Sequence, residues 1–362
     1  MYATKAEIGT VEKPKEFNKD SVRMTWPWWN KAQWNTYHWF MHVLDVYPLT
    51  PGVEPPVFPK DAKVPHMPQW TQHIWILTFS WFGFALQQAY QHFFGPMHPV
   101  GIALLYTHVY IFVLVHEVRM IRKVGYTYGY LDGEHPRDGV PDVGIGRVFW
   151  SLLKTVGGRV ALFTYLTYNR DVSPLKVMVD PKWWVSTYFE IGVYGVVLDF
   201  WFYVYHRMMH DVNGLWQYHR THHLTKHPNS TLSAYADDAQ EVGDMVGVPF
   251  MTWVTMTALG FNMGFYDWWM CQQFIIYTEV MGHSGLRVHL TAASTLYWAL
   301  DFLGLELALE DHDLHHRHGY RKSSNYGKQS RVWDTLFGTT RPRQECHESN
   351  IDWDNTARMP LW

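Results

Sequence analysis

The sequence predicts an all-α protein, a polytopic integral membrane bundle of four to six spans carrying a cytosolic, histidine-rich helical cap. Three observations point there. Charged residues make up 17% of the 362, below the ~25% usual for soluble chains, while Trp, Tyr and Phe number 20, 22 and 20, and such rings favour the lipid–water interface. Long stretches carry no charge at all. Twelve of the 22 histidines fall between positions 206 and 318, many three or four apart, the spacing that shares one face of a helix.

Taken in order, residues 1–68 read as an N-terminal arm and linker, since prolines at 48, 51, 55, 56, 59, 65 and 68 favour extended chain over helix. The first twenty residues are polar and contain no apolar core of a secretory signal. Membrane helices and a loop follow over 69–184. Residues 70–94 and 95–115 hold no Asp, Glu, Lys or Arg, and Pro96 and Pro99 mark the break between them; each reaches the ~20 residues a span requires. Residues 125–147 are a Gly- and Pro-rich loop, and 148–168 is a further candidate span despite Lys154 and Arg159. The region 185–340 bears the histidines. Within and beside it, 183–205 has only Glu190 and Asp199, 246–265 has no charge, 268–280 has Glu279, and 290–300 is apolar but short. Acids in such segments face a bundle interior or a cavity rather than lipid. Residues 341–362 form a polar tail, with Trp353 and Trp362 as tethers. Basic residues in the arm (Lys5, Lys13, Lys15, Lys19, Arg23, Lys31) and after the second span (Arg119, Arg122, Lys123) place both on the cytosolic side, which puts all the histidine clusters on that same face.

Several classes are excluded. Thirty basic against 33 acidic residues leave no basic surplus for a nucleic acid. Cys271 and Cys346 form no CxxC pair and no disulfide framework. Gly144 and Gly146 lack the strand–turn–helix context of a phosphate loop, and no internal repeat is present.

The histidines group as His206-Arg-Met-Met-His210, His219-Arg-Thr-His222-His223, His283 and His289 in GHSGLRVHL, and His312-Asp-Leu-His315-His316 followed by His318. On a helix, each HxxHH triplet brings its imidazoles to one point, as metal coordination requires. Two triplets and one HxxxH pair exceed what one metal can use, which implies two metals with about four ligands each; imidazole suits Zn, Cu, Fe and Ni. Asp199, seven residues before His206, lies on the same helical face and is placed to accept the second ring N–H of a ligand. Asp237 and Glu241 share a face and are either ligands, acceptors for a ligand ring, or solvated residues of a helix start. His227 reads as a loop residue, and His38, His42, His66, His73, His92, His98, His108, His116 and His135 as core, interface or surface histidines.

The ordered boxes HRMMH, HRTHH, GHSG and HDLHH, in the contexts YHRMMHDVNGLWQYHRTHH and HDLHHRHGYRKSSNYGKQSRVWDTLFGT, resemble the fatty acid hydroxylase superfamily, also called the sterol desaturase family. These are membrane-bound, histidine-rich di-iron oxygenases. The likeness covers roughly 185–340. It implies that His206, His210, His219, His222, His223, His283, His312, His315 and His316 are the metal ligands. Where many members carry a histidine after Tyr-Ala, this chain reads Tyr235-Ala236-Asp237, so that Asp237, His289 or Glu241 supplies the place. Asn325 matches a polar residue that follows the last box and would support a ligand. The resemblance further implies two iron ions (zinc being an alternative occupant of a purified sample), O2, and electrons from NAD(P)H through a cytochrome b5/reductase-type donor. No flavin or haem motif is visible. The expected location is the endoplasmic reticulum membrane, and the expected substrate is lipid-like: a sterol, a fatty acyl chain or a hydrophobic secondary metabolite that is hydroxylated, desaturated or oxidatively demethylated. The HSG stretch favours a sterol-like substrate. Arg317, Arg321, Lys322 and Lys328 would dock an acidic donor or meet lipid headgroups. A histidine-rich membrane metal transporter would place its ligands inside the spans, and a zinc-binding scaffold would use the same ligands without turnover.

Overall fold

Prolines and caps set where the helices begin. The computed structural model describes residues 18–47 and 49–362 and is mostly helical. In the arm, α1 (Thr36–Val43) is started by Asn35, whose side chain accepts from the N–H groups of Tyr37 and His38 while the His38 ring accepts from Asn35 N–H. The arm is therefore not wholly extended. Trp26 is fully buried, and the Asp142 carboxylate receives the N–H groups of Thr25 and Trp26 at 2.6 and 2.8 Å. Helices α2 (Gln69–Phe94) and α3 (Pro99–Tyr128) follow Pro68 and open on Pro99, positions where a missing N–H costs no helical bond. Gly95 and Gly129, at φ 76° and 75°, end them in a conformation that a side chain would resist.

Next come α4 (Ile145–Ser151) and α5 (Gly157–Thr167), one helix joined through a π turn at Leu152–Val156. The short α6 (Pro174–Met178) leads to the 31-residue α7 (Pro181–Asp211) and to α8 (Asn213–His219). A second π turn, Gly243–Gly247, joins α9 (Asp238–Val242) to α10 (Val248–Ala258). The remaining helices are α11 (Phe265–Gly282), α12 (Tyr297–Phe302), α13 (Leu309–His318) and α14 (Val332–Leu336). Nearly every side chain of α11 is buried. It packs against α2, α3, α5, α7 and α13, as a helix that is apolar all round must.

The tail is tied to the arm. Strand β1 (Val64–His66) pairs in parallel with β2 (Ile351–Thr356), Val64 opposite Ile351. Trp353 packs on His66 and His289, and Trp362 on Phe79 and His116, the tethering expected of both tryptophans. Cys271 and Cys346 are free and buried.

Four to six spans were expected from the apolar stretches; among the described helices, α3 alone is both long and apolar enough to cross a membrane by length and composition. The differences have local causes. Helix α2 is uncharged, but Gln72, His73, Gln87, Gln88, Gln91 and His92 lower its apolarity. The helix holding most of 246–265 begins at Asp238 with three acids in its first two turns and stops at Ala258. Residues 290–300 are mostly loop, with helix only from Tyr297.

Candidate metal centre

Four separate pieces of chain bring the nine box histidines together: the C-terminal end of α7, the end of α8 with the 3-10 turn His222–Leu224, the C-cap of α11, and α13. All nine are buried. They fall into two groups. Ligand atoms of His206, His210, His219, His223 and His315 lie within 4.8 Å of one another, as do those of His222, His283 and His316. His312 joins the second group, its Nε2 3.1 Å from that of His283. Each HxxHH box was expected to converge on one point. The structure instead divides both boxes: His219 and His223 go to the first group and His222 to the second, while His312 and His316 go to the second and His315 to the first. Neighbouring residues on a helix point ~100° apart, so the HH pair is the element that lets one short segment serve two centres. The second box is not a continuous α-helix, since α8 ends at His219.

Six rings are oriented by main-chain carbonyls. His206 Nδ1 donates to Tyr326 O at 2.8 Å, His210 to Arg321 O at 3.3 Å and His315 to Ser324 O at 2.7 Å. In the second group His222 donates to Tyr235 O at 3.3 Å, His283 to Glu279 O at 2.8 Å and His316 to Thr225 O at 3.3 Å. A carbonyl only accepts, so each of these Nδ1 atoms carries the proton and each Nε2 presents a lone pair inward. The Nε2 atoms of His222 and His283 nevertheless face each other at 3.3 Å, and those of His210 and His316 have no partner. Burial pushes the imidazoles below their ordinary range, His210 to about 4 and His283 to about 3, with Lys328 adding to the shift of His283 and neighbouring imidazoles and Lys328 to those of His222 and His316. No proton is therefore available to bridge the facing lone pairs. A cation between them resolves that conflict in the second group, and in the first group the five converging rings, with the Nε2 of His210 unpartnered, offer a second donor set; the residues thus fit two imidazole-bound metal ions, with Nδ1 bonds that fix tautomer and orientation.

The loop after α13 supplies all three carbonyls of the first group, from Arg321, Ser324 and Tyr326. Two buried acids hold it. Asp334 accepts Tyr326 N–H at 2.9 Å, Gly327 N–H at 2.7 Å and the Thr339 hydroxyl at 2.7 Å. Asp199 accepts the N–H groups of Lys328, Gln329 and Ser330 at 2.7, 3.0 and 3.2 Å and the Ser330 hydroxyl at 2.8 Å. Asp199 thus does not receive a ligand ring N–H, as its helical spacing had suggested; it acts one step back, through the loop. Asn325 stands between two of the carbonyl-bearing residues at φ 53°. Its side chain donates to Asp311 O and accepts Arg341 N–H, so it supports ligands through the turn and touches none.

The other proposed ligands lie elsewhere. Asp237 is held by Arg147 and by the Thr221 hydroxyl. Glu241 is buried in α9, where burial raises its carboxyl to about 7. His289 is fixed between main-chain bonds to Pro65 and Met67, its ring on Trp353. None belongs to either histidine group; beside them, the Tyr235 carbonyl accepts from His222 Nδ1.

The acids interleaved with the last box face outward to arginines: Asp311 to Arg343 at 2.9 Å, and Asp313 to Arg137 and Arg317, each at 2.6 Å. Arg317 and Lys328 are consequently buried and paired, which removes them from the expected donor-docking surface; Arg321 and Lys322 are exposed. Sequence reasoning missed Asp334, Tyr326 and the Lys328–Glu279 ion pair of 2.8 Å. That pair borders a narrow, largely apolar cleft between α2, α11 and α13 onto which His312 opens. A third, partly exposed group, Asp132, His135 and His227, is already neutralised by Lys60, although His227 and His135 had been read as ungrouped.

Comparison with known proteins agrees with this geometry. The fatty acid hydroxylase profile matches residues 191–339. The chain is 41% identical over 317 residues to the fatty acid hydroxylase vlmA of Lecanicillium sp, covering 83% of this chain and 87% of that one. It is 28% identical to alkylglycerol monooxygenase of Xenopus tropicalis over 52% of this chain and 37% of that protein. It is 29% identical to methylsterol monooxygenase 2-2 of Arabidopsis thaliana over 43% and 54%. No solved structure matches. With the boxes, their spacing and a relative matched along most of its length, the chain belongs to the fatty acid hydroxylase superfamily.

Proposed function

We propose that this protein is a membrane-bound, O2-dependent di-iron oxygenase that hydroxylates, desaturates or oxidatively demethylates a lipid-like substrate. The observation that carries this reading is the pair of buried histidine groups whose inward lone pairs call for two cations. Two irons bound there supply O2 activation and C–H oxidation. The chain's own residues do the rest. Six carbonyls hold the rings in the ligating tautomer, burial keeps the imidazoles deprotonated, and the closed surroundings of α7, α11 and α13 exclude water from a reactive centre.

Substrate access is supported by the cleft that reaches His312, lined by Leu290, Ala292, Leu307 and Leu309. Exposed Phe93, Phe94, Leu104, Tyr165, Trp298 and Phe302 give an apolar exterior suited to lipid, consistent with a bundle seated in the endoplasmic reticulum membrane with its histidines toward the cytosol. Electrons come from NAD(P)H through a separate cytochrome b5/reductase-type partner. Hydroxylation then balances as RH + O2 + 2 electrons + 2 protons giving ROH and water.

The test is reconstitution of detergent-purified, anaerobically iron-loaded protein with NADPH and a cytochrome b5/reductase pair. It is given sterol, fatty acyl and polyketide-like substrates under 18O2. Incorporation of 18O, or O2-dependent desaturation, that is lost in His222→Ala supports the reading. Absence of any O2-dependent product from protein with full metal content would refute it.

A further inference from the structure

The first histidine group comes within two rings of the surface. Trp216, on α8, packs its indole against three of the group's imidazoles, with ring centroids 5.3 Å from His210, 5.9 Å from His223 and 6.1 Å from His219. The same indole meets the Tyr320 ring edge-to-face at 4.9 Å. Trp216 is 9% exposed and Tyr320 40%, so an unbroken series of ring contacts leads from solvent to the ligands. The sequence sets both ends of it. Trp216 stands three residues before His219 and shares its helical face, and Tyr320 directly precedes Arg321, whose carbonyl orients His210. The cleft at His312 adjoins the second group instead.

Cations surround the outer ring. Lys226 Nζ stands 4.8 Å over the Tyr320 ring and donates to Gly319 O. Arg220 lies beside the same ring, and Arg321 and Lys322 follow it in the chain, both exposed. The carboxylates close by are already engaged, Asp20 by Arg220 and Asp211 by Arg207. Among the described residues Lys226, Arg321 and Lys322 form no ion pair, so the rim keeps a positive surplus. Val212, one turn before Trp216 and 45% exposed, adds apolar surface. An aromatic and apolar centre within a charged rim is the anatomy of a protein-docking surface, and a rim of one sign selects a partner of the other.

We propose that this patch is the electron port: an acidic one-electron carrier protein docks on the Lys226, Arg321 and Lys322 rim, and its electrons cross Tyr320 and Trp216 to the first histidine group. Electron tunnelling weakens exponentially with distance, and two rings in contact give a short path through an otherwise closed wall. Neither ring is itself oxidised. Each docking oxidises the carrier by one electron and reduces the centre by one, and two dockings with two protons from solvent supply what hydroxylation consumes. The proposal rests on the oxygenase reading for its demand for electrons and gives that site's partner a place to bind, but docking requires no turnover.

The experiment mixes the oxidised, iron-loaded full chain anaerobically with the reduced soluble haem domain of a cytochrome b5 and follows haem oxidation by stopped-flow absorbance. Docking is mapped separately by lysine acetylation and peptide mass spectrometry, in nanodiscs of phosphatidylcholine with and without phosphatidylserine. The carrier is expected to shield Lys226 and Lys322 from acetylation, and transfer should slow as salt rises. Lys322→Glu should lower the second-order rate about tenfold, with reduction by dithionite, which needs no docking, unchanged. Trp216→Leu should lower the limiting rate at saturating carrier several-fold with carrier affinity unchanged, and Trp216→Phe should restore most of it. If Trp216→Leu loses metal, Tyr320→Leu and Lys322→Glu still decide. Parental transfer rates in those two variants, an equal slowing of dithionite reduction, or shielding of the lysines by phosphatidylserine and not by the carrier would each overturn the proposal, the last assigning the patch to lipid headgroups. Transfer and variant effects as expected without any oxygenated product would leave the port standing and remove the oxygenase reading; carrier-driven product formation indifferent to the variants would do the opposite.

Discussion

Asp334→Asn tests how the first histidine group is held. The Asp334 carboxylate receives Tyr326 N–H and the Thr339 hydroxyl on one oxygen and Gly327 N–H on the other. The amide keeps one acceptor oxygen and turns the other into a donor facing an N–H. One buried N–H is left unsatisfied, at about 1–3 kcal/mol, and the two surviving bonds lose charge assistance, about 0.5–1 kcal/mol each. The sum is about 3 kcal/mol, concentrated in the loop that offers Arg321, Ser324 and Tyr326 carbonyls to His210, His315 and His206. The second group takes its carbonyls from Tyr235, Glu279 and Thr225, on other segments. Loss of such supports costs roughly 10–100-fold in metal affinity. Chelator competition followed by elemental mass spectrometry should therefore show one of two metals leaving Asp334→Asn at 10–100-fold lower chelator while the other is retained as in the parent. Simultaneous loss of both metals, or no change in either, would refute the assignment of the loop to one group.

Three more expectations follow from the same geometry. His206→Ala should lower metal content by mainly one ion and His283→Ala by the other, so that the double variant holds none; identical spectroscopic signatures of the residual metal in the two single variants would contradict the division. Gly285→Ala should destabilise by at least about 2 kcal/mol, because φ is 62° and the new Cβ would meet the Arg137 guanidinium, with about 1–2 kcal/mol from the left-handed backbone alone; an unchanged thermal midpoint would contradict this. Acidification should destabilise the metal-free protein, since histidines with folded values of about 4 and about 3 for His210 and His283 bind fewer protons folded than unfolded. Their contribution is present above the unfolded value of about 6.5 and is lost as pH falls toward the folded values, and a thermal midpoint flat between pH 7 and 4.5 would contradict it.

What the sequence disclosed and what it withheld have physical reasons. The box histidines announce themselves because i, i+3 and i+4 spacing converts directly into a shared helical face, and the structure gathers all nine. Their division was hidden, because it depends on α8 ending at His219 and on how α7 and α13 meet. The ring supports were invisible for a different reason. They are main-chain carbonyls, which any residue supplies, and the acids that aim them, Asp199 and Asp334, act through turns whose shape is not a spacing. The same holds for Asp237, whose place after Tyr-Ala suggested a ligand but whose carboxylate meets Arg147 and Thr221. Apolar stretches with little or no charge marked α2, α3 and α11 as helices, yet length alone could not separate α11, buried by its neighbours on every side, from a helix facing lipid.

The most direct measurement is the number of transition-metal ions bound per chain in detergent-purified protein after anaerobic iron loading, by elemental mass spectrometry against amino-acid analysis. Two buried histidine groups, each with Nε2 lone pairs turned inward, predict about two ions per chain, and about one after either His206→Ala or His283→Ala. A single ion in the parent protein, or none, would contradict a two-metal centre.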